Sequence, residues 1–292
     1  MANFEVTPLD ASFGAKIEGI DLKGIDTRTF EELYDCWLKY ALLIFPDQHL
    51  SNDDQVTFAK RFGSLEFDLA PISNVKKDGT VLKEDDSDNM IQVLKGNMGW
   101  HCDSTYMPIQ AKGAVFTAHV VPSSRGETGW ADLRAGYESL DDATKAKVAN
   151  LSAFHSLRHS QKKIGFKTEK GGDYNGYGLD VKDPPLRPLV KTHPETGRKS
   201  LVIGRHAYGI PGLDPAESEQ LLLSLVEHTC QVPRTYHHSW SAGDAVLWDN
   251  RCLMHRGCPW DMTEQRVMYH ARIAGDPQSE LAHGIGEPLS HG

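Results

Sequence analysis

Short strand-like runs dominate this chain, and they do not alternate one for one with helices. "GAVFTAHVV" (113–121), "LRPLVKT" (186–192), "KSLVIG" (199–204), "DAVLWDN" (244–250) and "QRVMYHARIAG" (265–275) are each rich in branched or aromatic residues and bounded by Gly, Pro, Asn or Asp. The opening "FEVTPLDASFGAKIEGIDL" alternates in the same manner. Helical spacing is confined to a few segments. "DTRTFEELYDCWLKYALLIFP" (26–46) reads as a capped amphipathic helix running into a buried strand, and "LSNDDQVTFAKRFGSLE" (50–66) opens on a Ser/Asn cap. "LRAGYESLDDATKAKVANL" (133–151) and "LDPAESEQLLLSLVEHTC" (213–230) read as two more helices, the second with Pro in its first turn. Without visible βαβ units a doubly wound parallel sheet is disfavoured. The expected fold is mainly β with flanking helices, a double-stranded β-helix or jelly roll.

No linker, repeat or charge block divides the 292 residues, so a single domain spanning 1–292 is expected. A net charge of −9 without a basic stripe argues against a nucleic-acid partner. An anionic small substrate would need individually placed arginines. Five cysteines lack CxxC spacing, which argues against a disulfide framework or a zinc-thiolate site and favours a reducing, cytoplasmic setting. Neither a signal layout nor a membrane-length apolar run is expected here.

The chemistry begins at "WHCDSTYMP" (100–108). His101-Cys102-Asp103 offers two metal ligands, but chance alone yields about two His-x-acid triplets in a chain with 14 histidines and 40 acids, and two are present. The other, His193-Pro194-Glu195, sits in a hairpin connection between "LRPLVKT" and "KSLVIG". A metal open to chemistry needs a third protein ligand, and His255 is the best candidate. It lies where one strand ends in Asp-Asn-Arg and another returns, as in a hairpin. Eleven residues later, alternation in "RVMYHARI" puts Arg266, Met268, His270 and Arg272 on one face. Such a polar face ordinarily meets water.

Taken in order, "WHCDSTYMP", "GETGWADL" (126–133), "VLWDNRCLMHR" (246–256) and "QRVMYHARIAGD" (265–276) resemble the iron(II)- and 2-oxoglutarate-dependent dioxygenases of the taurine and 2,4-dichlorophenoxyacetate dioxygenase family. "GAKIEGIDL" and "LLIFPDQHLSNDDQVTFAKRFG" extend the likeness to the N-terminal half. "KGNMGWHCDSTYMP", "PLRPLVKTHPETGR" and "LVIGRHAYGIPG" place it nearest the (S)-specific aryloxypropionate dioxygenases. The resemblance implies that His101, Asp103 and His255 bind Fe(II), leaving positions for 2-oxoglutarate and O₂. It implies further that Arg266 and Thr128 hold the distal carboxylate of 2-oxoglutarate, that Asn97 and Trp248 line the pocket, and that the enzyme is a homo-oligomer.

His270 stands where the taurine enzymes place a sulfonate-binding arginine, which weakens a taurine assignment. Arg272, Arg205 and His206 complete a basic set that could receive a substrate carboxylate, with Arg205 and His206 also readable as a solvated loop. The expected activity is hydroxylation of an aryloxyalkanoate beside its ether oxygen, giving a phenol, a 2-oxo acid, succinate and CO₂. Another small carboxylate or a sulfonate such as taurine is the alternative, and a zinc hydrolase or a non-catalytic binding module is the rival of another class. Of the remaining histidines, His155 reads as a pocket residue or, by default, a satisfied core histidine, His237 and His238 as surface strand or loop, and His283 and His291 as a mobile tail.

Overall fold

A computed structural model describes residues 4–86, 88–165 and 177–283. Its backbone is a seven-stranded major sheet in the spatial order Glu5–Pro8, Ala15–Glu18, Leu42–Phe45, Ala245–Asp249, Gly113–Val120, Val267–Ile273 and Ala70–Ser73. A minor sheet runs Thr235–His238, Thr128–Asp132, Leu253–Gly257. Two smaller sheets, Ala207–Tyr208 with Ser152–His155 and Leu186–Pro188, and Lys199–Leu201 with Val190–Thr192, lie beyond it.

Strand alternation sorts the major sheet's side chains into two cores. Leu43, Phe45, Val115, Leu247, Ala271 and Ile273 point one way and pack on the helices Thr27–Tyr40 and Asn52–Lys60. Leu42, Ile44, Phe116, Val246, Trp248 and Met268 point the other way and meet Trp130 and Leu253 of the minor sheet. The minor sheet's outer residues, Ala131 and Met254, pack with Leu222 and Leu225 of the helix Pro215–Thr229. Each long helix starts where its sequence provides a cap: Asp26 accepts from Thr29 N, Ser51 and Asp54 form a reciprocal box, and Asp214 precedes Pro215. The resulting order is helices, major sheet, minor sheet, then helix with small sheets, in keeping with the expected jelly roll.

Several expectations need correction. Residues 133–151 form two helices, Leu133–Glu138 and Asp142–Val148, because Asp141 accepts from Thr144 N and starts a new helix. "LRPLVKT" is two strands in different sheets, divided at the buried Leu189. Ala245–Asp249 and Leu253–Gly257 are no hairpin: the chain turns a corner at 250–252 and passes from the major sheet to the minor one. His283 donates its backbone N–H to Leu186 and so belongs to the structure, whereas His291 lies outside the described residues. Helices Asn89–Gly96, Leu157–Lys163 and Pro277–Glu280 were not foreseen. No described helix is long and apolar enough to cross a membrane.

The seam between the sheets is built on aromatic rings. Trp130 has no exposed surface, and its ring centroid lies 5.9 Å from that of Trp248. Trp130→Ala would leave a cavity in this seam and is expected to cost about 3–5 kcal/mol, read as a lower midpoint in urea unfolding with unchanged slope.

Candidate active site

His101 lies just past the minor sheet and pairs with His255 through reciprocal backbone hydrogen bonds of 3.0 and 2.8 Å. The corner that carries His255 also brackets Asp103. Asn250 Oδ1 accepts from Asp103 N at 2.7 Å, and Asn250 Nδ2 donates to the Asp103 and Ala111 carbonyls. The three candidate ligand side chains thereby converge: one donor atom from each of His101, Asp103 and His255 lies within 4.8 Å of the others.

The carbonyl of Gly99 can only accept, so the 2.7 Å contact from His101 Nδ1 places the hydrogen there and leaves the Nε2 lone pair for a metal. Burial pushes His101 down to about 4 and His255 well below the ordinary imidazole value. Burial opposes ionisation of Asp103, yet Arg272, His255 and His270 beside it hold its carboxyl well below the usual carboxylate range. At neutral pH the set is two neutral imidazoles and one carboxylate, the protonation state a divalent cation requires. Asp103 Oδ2 is buried, lacks a hydrogen-bond partner among the described residues, and lies 3.7 Å from His255 Nε2. A cation would satisfy this orphaned acceptor, so the residues fit a metal.

A second cluster, His193, Asp249 and Cys252, makes the contrast. There Asp249 accepts from Arg251 N, Nε and Nη2 and from His193 Nε2, while His193 Nδ1 accepts two backbone N–H groups. Asp249 and His193 keep no lone pair for an ion, burial holds Cys252 as the thiol, and the cluster is a structural staple at the inter-sheet corner. His193 does stand at the start of the expected hairpin, between Val190–Thr192 and Lys199–Leu201.

Two adjoining cavities meet at the His-Asp-His cluster. The first is lined by Thr128, Trp248, Trp260 and Arg266, the second by Phe67, Tyr106, Tyr177, Arg205 and His206. Asn97, His101, Asp103, His270 and Arg272 border both. The face carrying Arg266, His270 and Arg272 is thus buried and turned into the site, not into water, because the minor sheet covers it. Arg266 is 4 % exposed, stacks on Trp260 and donates to the Gly126 carbonyl. Burial pulls its pKa down to about 10, and among the described residues it forms no ion pair with a carboxylate. A buried guanidinium without an acid calls for an anionic ligand. Thr128 lines the same cavity, its hydroxyl oxygen accepting from Trp240 Nε1.

His270 stacks on Trp248 with rings 7° from parallel. Arg205 donates to Gln161, and both border the second cavity, so the solvated-loop alternative for this pair does not hold. His206 is fully enclosed, and its Nδ1 lies 2.8 Å from Ser160 Oγ. Since that hydroxyl spends its hydrogen on the Leu157 carbonyl, His206 Nδ1 is the donor; burial, with Arg205 nearby, holds its pKa well below the ordinary imidazole value, so the ring is neutral. It therefore adds no charge to a basic set. Arg272 is committed to Asp103 at 2.8 Å and does not offer a bare fork to a substrate. Sequence reasoning left Asn250, Glu66, Tyr177 and Gln161 unassigned. Asn250 alone carried a signal, standing inside a quoted motif. Gly204, at φ 125°, permits a close approach to the ligand segment: a Cβ there would lie 3.0 Å from the Trp100 carbonyl and 3.2 Å from His101 Cα.

The architecture and donor set are those of a non-haem metal oxygenase: three protein ligands on one side, an open face on the other. Within that class the chain belongs to the TauD/TfdA family, for residues 5–272 match the family described as "Taurine catabolism dioxygenase TauD, TfdA family". It is 60 % identical over 280 residues to the (S)-phenoxypropionate/alpha-ketoglutarate-dioxygenase of Sphingobium herbicidovorans, covering 96 % of this chain and 98 % of that protein. It is 35 % identical to the alpha-ketoglutarate-dependent 2,4-dichlorophenoxyacetate dioxygenase of Cupriavidus pinatubonensis, covering 92 % and 97 % respectively. The crystal structure of AAD-2 in complex with Mn(II) and N-oxalylglycine superposes with a TM-score of 0.86 at 37 % identity, covering 93 % of this chain and 97 % of that one. The chain is accordingly an Fe(II)- and 2-oxoglutarate-dependent dioxygenase.

His155 lies outside both cavities and is a core residue, but, fully buried, both its ring nitrogens lack the partners expected of a satisfied histidine among the described residues. Burial lowers its pKa from 6.5 to about 3. The unfolded chain binds a proton there at a higher pH than the folded one, so stability falls as pH drops through that interval. His155→Leu is expected to flatten the decline in unfolding free energy between pH 6.5 and 3, by at most about 1.4 kcal/mol per pH unit.

Proposed function

We propose that this enzyme hydroxylates an aryloxyalkanoate at the carbon bearing the ether oxygen, releasing a phenol and a 2-oxo acid. The observation that carries the reading is the second cavity. Phe67, Ile72, Met90, Val93 and Leu157 give it apolar walls suited to an aryl ring, and Arg205 supplies a cation for a carboxylate. The names of the two aryloxy-acid relatives above support the same class. A sulfonate is the weaker reading, since His270 occupies the position expected of a sulfonate-binding arginine.

His101, Asp103 and His255 would hold Fe(II), with Arg266 and Thr128 receiving the distal carboxylate of 2-oxoglutarate. The bound iron supplies oxidation of the substrate C–H bond by O₂, coupled to decarboxylation of 2-oxoglutarate to succinate and CO₂. This chain's own residues provide placement. Arg205 draws the substrate carboxylate to one end of the second cavity, its apolar walls confine the ring, and the carbon between them is left against the side where His101 and Asp103 lie. His206, neutral and packed edge-on against Tyr106, shapes that wall without attracting the carboxylate. Trp248 and the inter-sheet aromatic seam exclude water behind the ligands. Five free thiols suit a reducing cytoplasm, and a single, self-associating dioxygenase domain completes the proposal.

The test offers the Fe(II)-loaded enzyme a phenoxyalkanoate panel and taurine, following phenol, succinate and sulfite. Phenol formed in step with succinate is expected; sulfite from taurine, with no phenol from any aryloxy acid, would refute the reading. Arg266→Ala should raise KM for 2-oxoglutarate at least about thirtyfold, because truncating one member of a buried charge pair costs about 2 kcal/mol or more. An unchanged KM would remove Arg266 from that role. Arg205→Ala should raise KM for the aryloxy acid while leaving KM for 2-oxoglutarate near the parental value.

A further inference from the structure

Arg272 touches Asp103 on one carboxylate oxygen only. Its Nη2 donates to Oδ1 at 2.8 Å and its Nη1 to Ser104 Oγ at 3.0 Å. The other oxygen, Oδ2, lies 3.4 Å from His270 Nε2 and 3.7 Å from His255 Nε2 and has no hydrogen bond among the described residues. Ser104 sits at φ 55°, in the left-handed region that a serine rarely occupies, and its hydroxyl is tied to Glu66 Oε2 at 2.8 Å. Phe67 and Tyr177 pack on the guanidinium, their ring centroids 4.9 and 5.8 Å from it.

We propose that Arg272 is a positioning residue that commits Asp103 to ligate the metal through Oδ2 alone. The inference rests on the assignment of Asp103 as a metal ligand. A carboxylate that is free to rotate can clasp a divalent cation with both oxygens. Here the second oxygen would take a coordination position that 2-oxoglutarate or O₂ needs. With Oδ1 held by a charge-assisted hydrogen bond, the carboxylate's rotation is restrained and Oδ2 is the oxygen that would be left for the ion. The strained Ser104 and its bond to Glu66 anchor the arginine's other arm. Arg272 thus acts on the metal's geometry and does not contact the substrate carboxylate.

The experiment compares the full-length enzyme with Arg272→Met and Arg272→Lys. The lysine variant keeps the charge but replaces a planar fork by a single point donor. Anaerobic titration with Fe(II) in saturating 2-oxoglutarate, read from the visible absorption of the Fe(II)–2-oxoglutarate chelate, gives an apparent Kd and a band position independent of turnover. For Arg272→Met a Kd weaker by about 10- to 100-fold and a displaced band are expected, with KM for the aryloxy acid within about threefold of the parent. Arg272→Lys should fall between the two and decides the matter if the methionine variant does not fold. Folded variants that bind Fe(II) like the parent with an unmoved band would overturn the proposal. A raised KM for the aryloxy acid at unchanged Fe(II) affinity would overturn it in favour of a substrate anchor. A parent that gives no chelate band would overturn the metal reading itself, an outcome distinct from a parent that binds beside variants that match it.

Discussion

The packing of one sheet on another decides what this molecule can do. The major sheet covers its outer face with helices, and its inner face then has to meet the minor sheet. Over most of that seam the contact is aromatic and aliphatic, with Trp130, Trp248 and Phe116 at its centre. At one end the inner positions are polar: Arg266, His270 and Arg272 from the major sheet, Thr128 and His255 from the minor one. Burying such groups is costly unless they are paired. Each is therefore either tied to a neighbour or left facing a cavity where a ligand completes it. Function follows from the unpaired remainder.

Three arginines illustrate how partners, not residue type, assign roles. Arg266 is buried, stacked on Trp260 and without an ion pair to a described carboxylate, so it is held ready for an anion. Arg272, six positions along the same face, has its fork on Asp103 and Ser104 and serves the metal ligand. Arg205 reaches the second cavity from the segment after Lys199–Leu201 and shares Gln161 with a helix on the far wall. The contrast between the two His/Asp clusters has the same origin. Asp249 is saturated by Arg251 and His193 and staples a corner, whereas Asp103 keeps one oxygen without a hydrogen bond and can bind.

Much was legible without coordinates. Period-2 alternation and turn residues announced a β-rich fold, and the order of four motifs pointed to the His-Asp-His set and to Arg266. Caps at Asp26, Ser51 and Asp214 marked the starts of the three long helices. Local signals failed where a neighbour overrode them. The corner after Asp249 has the pattern of a hairpin, and only the covering of both sheets sends its two strands apart. Residues 133–151 have one helical periodicity, but the cap at Asp141 breaks it.

The sequence by itself determined which side chains share a strand face, because alternation is a property of the extended backbone. It therefore placed Arg266, His270 and Arg272 together. Whether that face meets water or a second sheet is a long-range matter, and the strand carries the same alternation in either case. Tertiary structure alone decided that the face is buried, that Asp103 captures Arg272, that burial keeps His206 neutral, and that apolar walls from separate segments enclose one cavity. The physical reason is range. Backbone alternation acts between neighbours in the chain, whereas hydrogen bonding and desolvation act between neighbours in space, and for Asp103 and Arg272 those neighbours are 169 residues apart.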